Sequence, residues 1–188
     1  MSLSIRPLDP SLAETFVSFF DALPFEHAKD WKGCYCRYYQ TPVAPEVWRT
    51  RPSSFNREDA LLAIRSGAMH GFLAFEEETC IGWVNAGEAE SFCRLAKDLE
   101  PFTGHGKTGL LICFVVAPDW QNHGVARALL KAALDDFREK GFSRVLALPL
   151  DAPMPGNRRY RGTMNMYREA GFKERTRLGI TVVMELQL

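Results

Sequence analysis

The stretch TGLLICFVVAPDWQNHGVARALLKAALDDFREKG, residues 108 to 141, constrains the fold of this chain more than any other. From Leu110 to Ala117 every residue is apolar, as suits a central strand covered on both faces. Pro118 ends the run and a polar turn follows. Ala126, Leu129, Leu130, Ala133, Leu134 and Phe137 then recur at helical spacing, with Lys131, Asp135 and Arg138 mainly outside the stripe. The pattern predicts an amphipathic helix over residues 124–140, stopped by Gly141.

The remaining chain supplies the partners such a unit needs. Residues 3–8 predict a strand, and 10–23 a helix with Leu12, Phe16, Phe19, Phe20 and Leu23 on one face. Residues 24–54, broken by Pro24, Pro42, Pro45 and Pro52, predict irregular structure. A helix is expected over 56–66, with Asn56 as its N-cap and Gly67 as its stop. Strands near 71–76 and 80–87 form a hairpin, and 88–107 reads as a long connection holding Pro101, Gly104 and Gly106. A strand over 143–150, a short helix over 162–171 and one or two strands over 172–186 complete the order. The expected class is α/β, one domain over residues 1–188. Its mixed, mostly antiparallel central sheet has six to seven strands flanked by about four helices.

Composition narrows the function. Twenty-three basic residues balance 23 acidic ones, so no global field recruits nucleic acid or an anionic membrane. The longest apolar run is far short of the ~20 residues a spanning helix needs. Arg6, Asp9, Glu14 and Asp21 interrupt any signal-peptide core. Five cysteines do not suggest a disulfide framework, so a reduced, cytoplasmic protein is expected.

The turn before the long helix carries the chemistry. A helix start leaves up to four N–H groups without partners at the positive end of the macrodipole. Gly124 and Ala126 keep side-chain bulk away from that end, which favours a phosphate or pyrophosphate. Neither G-x-x-x-x-G-K-[ST] nor a G-x-G-x-x-G after a strand is present. What fits is V-x-P-x-x-Q-x-x-G-x-A, from Val116 to Ala126, with Y-x-x-x-G-F from Tyr167 to Phe172 downstream.

These two motifs, in this order of elements, resemble the GCN5-related N-acetyltransferase superfamily over roughly the whole chain. The bacterial members it looks most similar to are known mostly from sequence. The resemblance implies an acetyl-CoA-dependent N-acetyltransferase in which an amine attacks the thioester directly in a ternary complex. By the same resemblance the backbone of Phe114, Val115 and Val116 pairs with the pantetheine arm. The N–H groups of Asn122, His123, Gly124, Val125, Ala126 and Arg127, after Gln121, hold the pyrophosphate. Tyr167 is the acid that protonates the leaving thiolate, and the Val116 N–H steadies the oxyanion. Tyr160 stands where the family often has a cofactor-touching asparagine. No metal is implied, and dimerisation through the final strands is common in such folds. A non-catalytic acyl-CoA sensor or scaffold with the same fold is the alternative.

No carboxylate lies on LLICFVV to act as base. Glu88 is the first substitute, acting through water, with Glu90, Asp151 and His105 behind it. In WKGCYCRYYQ, residues 31–40, Cys34 and Cys36 lack the spacing of a zinc or redox site, and the stretch reads as an aromatic wall of the acceptor pocket. Trp83 and Asn85 alternate along the second hairpin strand, Trp83 as core and Asn85 as a candidate for the cleft. The acceptor is a small-molecule or peptide amine that these residues do not identify.

Overall fold

The computed structural model describes residues 2–26, 29–152 and 160–188. Its seven strands are β1 (Leu3–Pro7), β2 (Gly71–Glu76), β3 (Thr79–Glu88), β4 (Thr108–Val116), β5 (Arg144–Ala147), β6 (Lys173–Leu178) and β7 (Thr181–Gln187). They form one sheet in the order β1-β2-β3-β4-β5-β7-β6. Only the β4–β5 pair is parallel, because β5 follows β4 through a crossover helix.

The α-helices are α1 (Ala13–Ala22), α2 (Pro45–Thr50), α3 (Ser53–Arg65), α4 (Ala96–Thr103), α5 (Val125–Glu139) and α6 (Met164–Glu169). Six replace the expected four, and the two additions come from segments read as irregular. Pro45 stands at the first position of α2, where a missing N–H removes no helical bond. The stretch 88–107 likewise holds α4, with Pro101 inside it. Asn56 is not an N-cap: α3 begins at Ser53 after Pro52, and Asn56 lies buried within it. The fifth strand is shorter than expected.

The two faces of the sheet carry separate cores. On one, Phe16 and Phe20 of α1 pack with Ile64 of α3, Leu99 of α4 and Trp83, Ile112 and Val115 of the sheet. On the other, Leu129, Leu130, Ala133 and Phe137 of α5 and Tyr167 of α6 pack on Leu111, Phe114 and Val145. Each fully buried Leu or Phe contributes roughly 1.5–3 kcal/mol by leaving water. Gly82 brings α5 close to β3: a Cβ there would lie 3.0 Å from Val125 Cγ1 and 3.4 Å from Leu129 Cδ1.

Two irregularities in β4 prepare the site. Trp83 pairs with Val115 but Asn85 pairs with Ile112, so β4 holds one residue more than β3 between these pairs. This bulge contains Cys113 in the left-handed region, φ 58°. Pairing with β5 ends at Leu111 and Ala147. Beyond Ala147 the chain keeps its pairing with β7 alone: Val182 N–H donates to Pro149 O, and Leu150 bridges Thr181. Among the described residues, the end of β4 therefore has no strand partner on the β5 side.

Candidate active site

Successive amides of a strand point to opposite edges. Ala117 N–H donates to Ile81 O on the β3 side. The N–H groups of Val116 and, two residues earlier, Phe114 therefore face the edge that β5 has left. They form a row of strand donors along an edge with no strand partner among the described residues.

The turn lies at the open end of that edge. Asn122 has φ 63° and Gly124 φ 83°, and the first helical bond runs from Ala128 N–H to Gly124 O. The amides of residues 125–127 thus precede the helical ladder. A Cβ on Gly124 would meet nothing within 4 Å. Gly124 does not serve helix–sheet packing; its φ requires glycine, and the space before it is open. Gln121 ties the turn to the strand, its Nε2 donating to Val116 O at 3.3 Å. His123 is exposed and its Nδ1 donates to Gln121 O, 2.8 Å away. Val125 is buried and turns its side chain into the core. Arg127 pairs with Glu169 of α6 at 2.8 Å, an exposed pair worth ~0.2–1 kcal/mol.

Tyr167 is fully buried, edge-on to Phe114 with ring centroids 6.2 Å apart. Its hydroxyl donates to Arg161 O at 2.9 Å. Gly162 permits this approach, since a Cβ there would lie 2.8 Å from that hydroxyl. Burial pushes the phenol well above its ordinary pKa, with Cys113 adding to the shift, so it stays protonated.

Above the bulge lies a cavity of about 600 Å³ with Cys113 among its lining residues. Trp31, Tyr38 and Tyr39 from the aromatic loop and Trp48 from α2 form its walls. The loop is held by side chains, as irregular backbone requires. Asn85, fully buried, donates through Nδ2 to Cys36 O and Gln40 Oε1, both at 3.1 Å. Asn56 donates to Gly33 O at 2.9 Å, and Arg37 pairs with Asp59 at 2.9 Å. Arg94 donates to Tyr38 O and Val43 O. Asn85 therefore anchors the loop rather than lining the cleft, and Trp83 is core. Although Cys34 is partly exposed, burial holds its thiol up to about 12, and burial also raises the Cys36 thiol. Both are protonated, unlike metal-ligating or nucleophilic thiols.

Several expected residues lie elsewhere. Glu88 pairs with Gly109, seven residues from Val116 and so roughly 23 Å along the strand at about 3.3 Å per residue. It is exposed, as are Glu90 and His105. Asp151 pairs with Arg177 at 2.6 Å. Tyr160 stacks on Trp31, centroids 5.9 Å apart, within the aromatic wall rather than against the turn. A wider groove of about 870 Å³, bearing Glu14, Glu26 and Asp119, opens at Ala117–Asp119, past the strand end. Sequence reasoning missed Arg161, whose Nη2 donates to Tyr39 OH at 2.6 Å, and Arg51 of the cavity wall.

The acetyltransferase (GNAT) family model matches residues 26–172. Comparison with curated protein sequences gives no significant match. Among solved structures, the chain is similar to PaiA N-acetyltransferase from Thermoplasma acidophilum in complex with coenzyme A (20% identity, all of both chains, TM-score 0.60). It is also similar to YncA from Salmonella typhimurium with its cofactor acetyl-CoA (16% identity, 100% of this chain and 94% of that one, TM-score 0.59). A third is the polyamine N-acetyltransferase of Drosophila melanogaster, which forms N-acetylagmatine (12% identity, all of both chains, TM-score 0.60).

Proposed function

This chain belongs to the acetyltransferase (GNAT) family, and on that premise we propose that it transfers an acetyl group from acetyl-CoA to an amine by direct attack. The observation that carries this reading is the parting of β4 from β5 beside the open turn at Gly124. A pantetheine arm can pair with the backbone edge at Phe114, with the Val116 N–H left for the thioester oxygen, while the pyrophosphate meets the amides before Ala128. The CoA and acetyl-CoA of two structural neighbours support the same cofactor.

In the reaction the neutral amine attacks the thioester carbon from the side of the cavity. The Val116 N–H stabilises the oxyanion. The tetrahedral intermediate collapses, the C–S bond breaks, and the Tyr167 hydroxyl turns from Arg161 O to deliver its proton to the thiolate, regaining one from solvent as CoA leaves. The attacking nitrogen gives up its proton to solvent. Glu88, at its distance, is not placed to take that proton directly, and we assign no side chain as base.

A second reading, in which the fold holds acyl-CoA without turnover, is favoured by one observation: the described cavity lining contains no carboxylate or imidazole. Titration calorimetry of acetyl-CoA into the wild type and Gly124→Glu tests the cofactor site. Binding that is lost in the variant supports it; no binding to folded wild type overturns the transferase reading. CoA release with a panel of amines separates catalysis from mere holding.

A further inference from the structure

The cavity above Cys113 carries a charge that restricts what enters it. Lys32, Arg49 and Arg51 line it, whereas Asp, Glu and His are absent from its described lining. None of these three cations belongs to an ion pair among the described residues. Nearby Arg37, by contrast, is neutralised by Asp59.

Arg51 is the most informative of the three. Its guanidinium lies 4.3 Å over the Trp48 ring, and its Nε donates to Asn56 Oδ1. These contacts fix the plane of the fork. Its Nη2 is buried, with no hydrogen-bond partner among the described residues. Arg51 lines the cavity, and its guanidinium, held over Trp48, brings a charge and N–H donors that suit a carboxylate.

We propose that this cavity takes an amine whose molecule also carries a carboxylate beside a flat apolar group, an aromatic amino acid or a near analogue. The carboxylate sits on Arg51, the ring lies among Trp31, Tyr38, Tyr39 and Trp48, and the amino nitrogen points toward the bulge at Cys113. The inference rests on the acetyltransferase reading above. A polyamine fits this lining poorly, because each additional ammonium would face unpaired cations and no carboxylate. The same cations favour the neutral form of the bound amine by like-charge repulsion. They thereby do part of the work for which the cavity offers no base.

The test uses matched pairs at saturating acetyl-CoA: tryptophan against tryptamine, phenylalanine against phenethylamine, with spermidine as the polycation. CoA release gives kcat/KM, and calorimetry reads acceptor binding to the CoA-loaded protein. We expect each acid to exceed its amine at least tenfold, and Arg51→Gln to reduce that ratio at least tenfold. Arg51→Lys, which keeps the charge without the fork, should fall between. A preference for the amines or spermidine would overturn the proposal and move the acceptor to the acidic groove at Glu14 and Asp119. So would an acid-to-amine ratio unchanged in both folded variants, or neither binding nor turnover of either acid. Failure of acetyl-CoA itself to bind the wild type would instead overturn the transferase reading, and this one with it.

Discussion

The Tyr167 hydroxyl donates to the Arg161 carbonyl at 2.9 Å, and the Arg161 guanidinium donates in turn to the Tyr39 hydroxyl at 2.6 Å. One residue thus ties the proposed acid on α6 to the aromatic wall of the proposed acceptor cavity. Tyr39 and Tyr167 stand 128 positions apart in the chain, and Arg161 joins them.

Tyr167→Phe removes the proton donor but keeps the ring on Phe114. A fall in kcat of about 10²-fold or more is expected, the usual scale for losing a general acid. Acetyl-CoA affinity should change little, and stability by ~1 kcal/mol for the lost hydrogen bond. Steady-state CoA release and calorimetry check the two halves separately.

Gly82→Val tests whether the position of α5 sets cofactor affinity. The new Cβ would press on Val125 Cγ1, next to the turn, and must displace the start of the helix. A stability loss of about 1–3 kcal/mol is expected from overpacking, together with weakened acetyl-CoA binding. Thermal unfolding and calorimetry on the same preparation would show both.

Asn85→Leu cuts the loop from the sheet without opening a large void. It leaves Cys36 O and Gln40 Oε1 without their donor, a loss of about 1–3 kcal/mol. The acceptor KM should rise while the acetyl-CoA Kd holds, because the loop walls only the acceptor cavity. Equal effects on both constants would contradict that division.

Alkaline stability follows from buried thiols. Burial holds Cys34 and Cys80 at about 12, above an ordinary value of 9.0. The folded protein therefore keeps protons that the unfolded chain releases. Their contribution is complete below pH 9 and is lost as pH rises from 9 toward 12. Tm should fall across that window, and less steeply in a Cys34→Ser, Cys80→Ser double variant.

Periodicity made the centre of the fold legible. The α5 stripe and the unbroken apolar run of β4 each signal one element through many residues, and Gly124 marks the turn by a conformation few other residues adopt. Prolines concealed the rest. Pro45 and Pro52 read as breakers, yet one opens α2 and the other precedes α3, and Pro101 sits inside α4. Arg51 and Arg161 were invisible for a different reason. An arginine between two helices and one just before another carry no local signal; their roles arise from Asn56, Trp48, Tyr39 and Tyr167, against which folding sets them.

The brevity of the β4–β5 ladder also bears on how the molecule unfolds. Four residue pairs, from Thr108–Arg144 to Leu111–Ala147, join a half-sheet of β1–β4 to one of β5–β7. So short a seam lets the halves open as separate cooperative units, each with its own amide-exchange protection. A cofactor laid along the free edge of β4 stitches that seam, adding RT ln(1 + [L]/Kd) to stability. In amide exchange the empty protein should behave as two foldons and the loaded one as a single body.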